Sequence, residues 1–378
     1  MIFFLIAGLW KGNFKSNFKG FIKNRYYLAV TGIFLIYFIS GLWSENIDYF
    51  LNRSRIKLPI FFLPFAFYAT PKLDKKVMTS IMWGFIGIIT FSILWSIGMF
   101  LTDIEYYTNI YGKGQIIPTP IHHIRYSIMI SIAFCMLVAI IWDKIKEEQK
   151  WPRLYIILAI FLVIYLHLLA VRSGLMTLYV VFLFMFIFYI KEKGNKLLAV
   201  GSAASFVLLI FLSTQFVPTI KNKISYMKYS LELFSKNENI RELSDSRRLG
   251  SIFAGLQLTK DNPALGVGIG DIMDETDSYL SEHYPELTNL ELLPHNQYIL
   301  SSAALGIIGL ILFTIFSCMP LFYLNGMHDF FLTTTQFIFF ASFMVEHTIE
   351  SQIGVALYIF ITLFAMKYRQ TKLEGNHV

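Results

Sequence analysis

Two adjacent arginines at the start of a helical pattern are the first residues in this sequence that suggest chemistry. Arg247 and Arg248 open a periodic apolar segment that predicts a helix from about Ser246 to Lys260. The positive end of a helix dipole disfavours cations, so we expect an anionic partner, and guanidinium groups beside backbone N–H groups suit phosphate or pyrophosphate. The alternative is that both arginines are solvated and form surface ion pairs with Glu242 or Asp245.

A histidine lies directly before a long apolar run. His295, in Pro294-His295-Asn296-Gln297-Tyr298, therefore falls near the depth of lipid headgroups. Imidazole changes its charge near neutral pH, which makes this residue a reasonable general base. The alternative is an interfacial histidine, with Asn296 capping the following helix and Tyr298 in an aromatic belt.

A third arginine stands between two apolar runs with almost no loop to solvate it. A charge at membrane depth is costly enough to make Arg172 a functional candidate, and snorkelling to the headgroups is the alternative. Arg125, at the start of another apolar run, is a weaker candidate of the same kind. We expect that Glu346, His347 and Glu350, near the end of a further run, include a partner for one of these arginines.

The sequence shows no motif for a metal ion or a disulfide framework. The His122-His123 pair has no acidic or cysteine partner at ligand spacing, and Cys135 and Cys318 lie inside apolar stretches. We therefore expect no metal and no cofactor.

The elements that must position these residues include one long segment, 218–297. Its first part predicts an amphipathic helix lying on the headgroups, with apolar positions Ile220, Ile224, Met227, Leu231 and Phe234. The second predicted helix has caps from Ser244, Asp245 and Ser246 and an apolar face of Leu249, Ile252, Phe253 and Leu256. The run Gly266-Val267-Gly268-Ile269-Gly270-Asp271 lacks the spacing of a dinucleotide site and predicts a tight turn.

The rest of the chain predicts a membrane-embedded bundle. Its 378 residues are 56% hydrophobic and 15% charged, with a mean hydropathy of +0.57, against roughly 25% charged residues in soluble proteins. Runs long enough to cross about 30 Å of hydrocarbon lie at 26–43, 77–101, 124–142, 152–171, 174–190, 197–217, 298–324 and 330–347, with shorter ones at 58–70 and 351–366. We expect an all-α polytopic protein of about 10–12 transmembrane helices, and not a porin barrel.

The net charge of +7 serves orientation instead of nucleic-acid binding. More than half of the 32 Lys and Arg fall in alternate segments, 11–25, 71–76, 143–153, 191–196 and from Lys367 onward. With these segments in the cytoplasm, the segment 218–297 lies on the outer side, and we expect Arg53, Arg55 and Lys57 in a short outer loop. Met1–Trp10 is too short to cross, and because its basic residues follow it we expect a half-inserted segment or a helix remnant, not a signal peptide.

The order of these motifs resembles the O-antigen ligase and O-antigen polymerase superfamily of bacterial polysaccharide assembly enzymes. The resemblance covers about 155–315 and rests on Arg172-Ser173-Gly174, Arg248-Leu249, the run Asn262-Pro263-Ala264-Leu265-Gly266-Val267-Gly268-Ile269-Gly270, His295-Asn296 with Tyr298, and Ala304-Leu305-Gly306-Ile307-Ile308-Gly309. Upstream, the segment from Ser40 to Asn46 also resembles the end of the family's second helix.

The resemblance implies a GT-C-like fold in the bacterial inner membrane, with a site facing the periplasm. It implies a metal-independent, inverting transfer of a glycan from undecaprenyl pyrophosphate to an acceptor hydroxyl. Arg172 and Arg248 would bind the pyrophosphate, with Arg247 and Arg125 as further candidates, and His295 would be catalytic. The expected supporting residues are Asn296, Tyr298 and Glu346.

Several alternatives stay open for the acceptor and the activity. Lipid A-core would make the protein a ligase, another lipid-linked repeat a polymerase, and a Ser or Thr of a protein an oligosaccharyltransferase. Outside the enzymes, a flippase would show internal repeats and helices broken at the midplane. We expect N-terminal transmembrane helices over 1–151, a catalytic region over 152–324 that contains the loop, and C-terminal helices with a tail over 325–378.

Overall fold

A computed structural model describes residues 14–71, 73–112, 116–148, 150, 153–193, 201 and 218–375. These residues form helices joined by turns, with no β-strand among them, so the prediction of an all-α polytopic membrane protein is confirmed. The α-helices are α1 (Phe14–Lys23), α2 (Arg25–Ile39), α3 (Ile47–Ala69), α4 (Lys75–Thr102), α5 (Ile104–Gly112), α6 (His123–Lys146), α7 (Arg153–Leu169), α8 (Arg172–Lys193), α9 (Pro218–Lys236), α10 (Ser244–Asp261), α11 (Ile272–His283), α12 (Gln297–Cys318), α13 (Phe330–Val345) and α14 (Gln352–Gly375).

Most predicted spans are present as helices. Five stretches of the described chain are long and apolar enough to cross a membrane: Arg25–Leu42, Lys75–Thr102, His123–Lys146, Arg172–Glu192 and Gln297–Phe322. The helices α7 and α13 are apolar but shorter, and the two short predicted runs lie within α3 and α14. The predicted span 197–217, apart from Gly201, and the segment Met1–Trp10 lie outside the described residues.

The predicted outer loop around Arg53, Arg55 and Lys57 is wrong, because all three residues lie within α3. Lys57 is fully buried and forms an ion pair with Glu350. The Arg53 guanidinium donates a hydrogen bond to the carbonyl oxygen of Glu350, and Arg55 is exposed. Hydropathy alone places charged residues of this kind in loops. Here Glu350, from a distant segment of the chain, binds both Lys57 and Arg53 within the helix.

The helices form two compact units. The first contains the described residues of Met1–Lys72, Met227–Met327 and Ser342–His377. Within it α2 packs against α3 and α12, and α14 packs against α3. Its interior holds a chain of edge-on and tilted rings, in which Phe343 lies 5.6 Å from Phe313 and 5.4 Å from Tyr358.

The second unit contains the described residues of Leu73–Tyr226 and His328–Ala341. Its central helix is α6, of which the most apolar stretch is 89% buried, against 22% for α4. The hydroxyl of Thr177 in α8 donates to Ser131 in α6 at 2.9 Å, and Ser131 also bonds to the Gly174 carbonyl oxygen at 3.2 Å. Small side chains and interhelical hydrogen bonds hold helices together where lipid removes the hydrophobic contrast.

The long segment 218–297 has a small core of its own within the first unit. Ile240, Leu280 and Leu287 are fully buried there, and the hydrophobic residues packed around them are Leu233, Phe234, Tyr279, Tyr284, Leu290 and Leu292. The Glu286 carboxylate accepts hydrogen bonds from the backbone N–H groups of Asn239, Ile240 and Arg241. This part of the segment is therefore a packed substructure instead of an open connection.

Helix α10 is present and begins within two residues of the predicted start, but its predicted caps and buried face are wrong. It begins at Ser244 after an N-cap at Leu243, without a side-chain cap. Its buried side is made of small residues, Gly250, Ser251, Ala254 and Gly255 with Leu258, whereas Phe253 and Leu256 are 42% and 48% exposed. Small residues allow neighbouring groups to approach closely. A methyl group added at Gly255 would lie only 2.7 Å from the Cγ2 atom of Ile299.

The glycine run contains the predicted tight turn, in which the Asp271 N–H donates to the Gly268 carbonyl oxygen at 3.3 Å, and it also docks on a break in α12. Gly306 has φ 69° and ψ −176° and interrupts the helix. The N–H groups of Val267 and Gly268 then bond to the carbonyl oxygens of Ala303 and Ala304, each at 2.9 Å. A helix break at membrane depth requires such partners because no water is available there. These backbone N–H groups bind protein oxygens and so do not form a phosphate cradle.

Both glycines at this contact are required by geometry. Gly266 has φ +67°, and a Cβ there would lie 2.5 Å from backbone atoms of Ala303, Ala304 and Leu305. A Cβ on Gly306 would lie 2.2 Å from the carbonyl oxygen of Ala264. Two motifs that are separate in the sequence are therefore the two sides of one backbone contact.

Replacing Gly306 by alanine should destabilise the protein by more than about 2 kcal/mol, because a strained φ is added to a backbone clash. The matched control is Gly87→Ala in α4, where the added methyl meets nothing within 4 Å and should stabilise by about 0.5–1 kcal/mol. Thermal unfolding midpoints in detergent test this pair. Equal midpoints for the two variants would contradict the contact.

Candidate functional site

His295 precedes α12 and is followed by two amide side chains that hold another segment beside it. The Asn296 carbonyl oxygen Oδ1 accepts from the N–H groups of Tyr298 and Ile299, so the expected capping role is confirmed. The Asn296 Nδ2 donates to the Met344 carbonyl oxygen at 2.9 Å. The Gln297 Oε1 accepts from the Ile349 N–H at 3.1 Å. The start of α12 is thereby tied to both ends of segment 344–349.

Tyr298 supports this start by packing. Its ring lies 5.9 Å from Phe313 and 6.1 Å from Phe343, edge to face in both cases. Its neighbour in sequence, Gln297, is fully buried. Asn296 and Tyr298 therefore stabilise the helix start that follows His295, and their part in the reaction stays a prediction.

Ser251 of α10 connects the candidate base with the candidate anion-binding arginine. Its hydroxyl donates to the Arg248 carbonyl oxygen at 2.8 Å and accepts from the His295 backbone N–H at 3.3 Å. The His295 Nδ1 lies 3.1 Å from the Leu293 carbonyl oxygen. The Ser251 hydroxyl lies 3.3 Å from the same nitrogen, and its own proton goes to the Arg248 carbonyl oxygen. Both neighbours therefore accept from Nδ1 when it carries the proton, and in that tautomer the lone pair lies on Nε2. Sequence analysis missed Ser251, because a serine on a helix of small residues carries no signal of its own.

Arg248 pairs with Glu346, whereas the sequence led us to expect this acid as a partner of Arg172 or Arg125. The Nη2 to Oε1 distance is 3.0 Å, and the side chains are 30% and 3% exposed. Because α10 begins at Ser244, Arg247 ends the first turn and Arg248 lies beyond it, so the first-turn argument does not apply to Arg248. A buried carboxylate with a half-exposed guanidinium leaves part of the cation accessible to an anion.

Two histidines meet at this point. The rings of His295 and His347 have centroids 4.8 Å apart and lie at 80° to each other. One ligand atom from each of His295, Glu346 and His347 lies within 4.8 Å of the others, so the three side chains can hold a metal ion. No sequence motif indicates this cluster, because ligand spacing rules apply only to residues close along the chain.

A buried ionic network lies beside this cluster. The Lys57 ammonium is 2.5 Å from Glu350 Oε2, with both side chains 1% exposed, and 4.7 Å from the centre of the Tyr37 ring. The Gln297 amide donates to Glu350 Oε1 at 3.3 Å and to the Tyr37 hydroxyl at 3.1 Å. Gln297 therefore links the ion pair to the start of α12, two residues after His295. Through the Ile349 N–H it also holds the segment that contains Glu346. Sequence analysis placed Lys57 in a loop and missed this role.

Arg172 and Arg125 lie in the second unit. Arg172 is exposed and is the first residue of α8, two residues after Ala170, whose φ is 50°. At that position the first-turn argument does hold, since helix dipole and guanidinium both favour an anion there. The following Gly174 allows close approach to Ser127 of α6, which lies two residues after the buried Arg125.

The structure thus brings together Arg248, Glu346 and His295, with Arg247 half-buried on the same helix. The placement of Arg172 and Arg125 beside these residues stays a prediction.

Comparison with known families adds one finding. Residues 157–314 match the family described as O-antigen ligase. No curated protein matches the chain. The matched region contains Arg172, Arg248 and His295, as well as both sides of the glycine contact.

The ion pair of Lys57 and Glu350 yields a stability prediction. Lys57→Met or Glu350→Gln alone should cost about 3–5 kcal/mol, because each leaves one buried charge uncompensated. The double variant should cost less than the sum of the single variants. Thermal unfolding of the wild type and the three variants in detergent completes the cycle. Additive losses would show that the two charges do not compensate each other.

Proposed function

Because residues 157–314 match the family described as O-antigen ligase, we propose that this membrane protein transfers a glycan from undecaprenyl pyrophosphate to an acceptor hydroxyl. The transfer inverts the anomeric centre, needs no metal ion and takes place at the periplasmic face of the bacterial inner membrane. The observation that carries the proposal is the joint placement of the Arg248 and Glu346 ion pair and of His295 through Ser251. It supplies an anion-binding group and a base within one packed site.

The leaving group sets the first requirement. As the bond between the anomeric carbon and the pyrophosphate oxygen breaks, its electron pair moves to the pyrophosphate, where negative charge grows. Preorganised cations at that position stabilise the transition state more than the ground state. Arg248 is suited to this role because its planar guanidinium binds phosphate oxygens in pairs. Arg172, at the start of α8, is the second proposed pyrophosphate ligand.

Glu346 keeps Arg248 in place before the donor arrives. An arginine without a partner would adopt many rotamers, and ordering it on binding would cost affinity. The nearly buried carboxylate holds the guanidinium by one oxygen at 3.0 Å. The other guanidinium nitrogens can then bind the pyrophosphate, so Glu346 acts by orienting the arginine.

His295 completes the reaction as general base. The acceptor hydroxyl attacks the anomeric carbon from the side opposite the pyrophosphate and transfers its proton to the imidazole. The hydrogen bond between Nδ1 and the Leu293 carbonyl oxygen supports Nε2 as the atom that accepts the proton. General-base catalysis of this kind contributes about 10²–10⁴-fold.

The acceptor we propose is lipid A-core, which makes the protein an O-antigen ligase of lipopolysaccharide biosynthesis. Polymerase or protein oligosaccharyltransferase activity would use the same donor and the same residues. A polysaccharide flippase is the candidate outside the enzymes, and a purified protein that moves glycan-lipid without any transfer to an acceptor would support it.

Loss of the proposed charged groups should abolish transfer and leave a folded, inserted protein. Arg172→Ala, Arg248→Ala and His295→Ala should each lower activity by at least about 10²-fold, and Arg248→Lys should not restore it. The matched control is Lys260→Ala, an exposed cation at the end of α10, which should keep full activity. Transfer is measured with purified protein, lipid-linked glycan and acceptor, in the presence of EDTA. Wild-type activity of His295→Ala would refute the base assignment.

Deletion of the gene identifies the acceptor. We expect lipid A-core without O-chains, together with accumulated lipid-linked polymer, on gels of surface glycolipid. A single attached repeat would mean polymerase activity. Unchanged lipopolysaccharide with altered glycoproteins would mean transfer to protein.

A further inference from the structure

His295, Glu346 and His347 form a cluster whose chemistry goes beyond base catalysis. We propose that these three side chains bind a transition-metal ion such as Zn²⁺ and that the bound ion silences the transfer activity. The silencing rests on the proposed function, whereas the binding site stands on geometry alone.

The arrangement of the two imidazoles matches shared coordination of one ion. When two imidazole nitrogens bind the same tetrahedral Zn²⁺ at about 2.0–2.1 Å, their ring centres lie about 5 Å apart. The rings of His295 and His347 have centroids 4.8 Å apart at 80° to each other. The three ligand atoms lie within 4.8 Å of one another, a spacing at which the three side chains can hold one metal ion.

The second coordination sphere also fits. A metal-binding histidine usually donates its other N–H to a carbonyl or carboxylate, which fixes the tautomer. The Leu293 carbonyl oxygen accepts a hydrogen bond from the His295 Nδ1–H, with 3.1 Å between nitrogen and oxygen. The lone pair then lies on Nε2, where a metal ion binds. Two imidazoles and one carboxylate, with a fourth position for water, are a ligand set that zinc adopts in proteins.

Segment 344–349 provides the rigidity that such a site needs. Glu346 and His347 follow one another directly after α13, between the Met344 carbonyl held by Asn296 and the Ile349 N–H held by Gln297. Because His295 precedes Asn296 in the chain, the hydrogen bonds that hold the segment also set the distance between the ligands. The ligands are therefore preorganised relative to each other.

Arg248 limits the affinity of the site. Its Nη2 lies 3.0 Å from Glu346 Oε1 and competes with a cation for the carboxylate. Removing the guanidinium should therefore strengthen metal binding. A bound ion would occupy the lone pair that His295 needs to accept the acceptor's proton, so the ion and the reaction exclude each other.

The test uses the full-length protein in detergent, purified through a tag without histidines. Co²⁺ serves as a spectroscopic probe, because tetrahedral coordination by nitrogen and oxygen gives intense visible bands. We expect saturable binding of one Co²⁺, displaced by Zn²⁺. His347→Asn should weaken it by at least about tenfold, and Arg248→Gln should strengthen it.

The matched control is the double variant His122→Asn/His123→Asn. It removes another histidine pair, with stacked rings 4.4 Å apart, and should keep wild-type Co²⁺ binding. Equal binding by wild type and His347→Asn would overturn the proposed site, as would loss of binding in the control.

Transfer assays then test silencing separately. Zn²⁺ should inhibit the wild type, and His347→Asn should need at least about tenfold more Zn²⁺ for half inhibition, each relative to its own activity in EDTA. Binding of Co²⁺ without inhibition by Zn²⁺ would overturn the silencing. A wild type without transfer activity would contradict the proposed function, while the Co²⁺ titration still decides the metal site.

Discussion

The attachment of segment 344–349 to the start of α12 is the constraint on which the candidate site of the first unit depends. Asn296 and Gln297 bind the segment by their side-chain amides, and the ion pair with Lys57 holds Glu350, the residue that follows it. His295 precedes these two amides, and Glu346 lies within the segment they hold. Releasing the segment would separate the base from the carboxylate that orients Arg248. The buried ion pair thus acts on the site through the backbone of this segment.

The same physical rule accounts for the rest of the architecture. In lipid, polar groups must find partners within the protein, since water is absent. Gly306 breaks α12, and N–H groups of the glycine run donate hydrogen bonds to the carbonyl oxygens of Ala303 and Ala304. In the second unit, Ser131 and Thr177 bond α6 to α8 beside the turn that carries Arg172. The glycine run, which looks like a ligand-binding pattern in the sequence, is here one side of a backbone contact. This contact supplies hydrogen-bond partners for the non-helical backbone at the break in α12.

Local patterns predicted the helices well and their environments less well. Long apolar runs identified α2, α4, α6, α8 and α12, because so long an apolar segment is stable only when lipid or protein surrounds it. The apolar run in α3 is shorter than the helix itself, because Lys57 interrupts it in the sequence. In the structure Lys57 is neutralised by Glu350, almost three hundred positions away. The prediction failed for the buried face of α10, because periodicity favours bulky apolar residues, while close packing at Gly250 and Gly255 selects small ones.

What the sequence determined by itself was the class of protein and the run of helices, which follow from composition and from order along the chain. It also singled out Arg172, Arg248 and His295, which lie within the region 157–314 that matches the O-antigen ligase family and whose roles stay a proposal. Only the tertiary structure decided which groups meet: Arg248 with Glu346, His295 with Ser251 and His347, and Gln297 with the buried ion pair. The physical reason is that short-range forces act between neighbours in space, and the chain brings those neighbours from segments far apart in sequence.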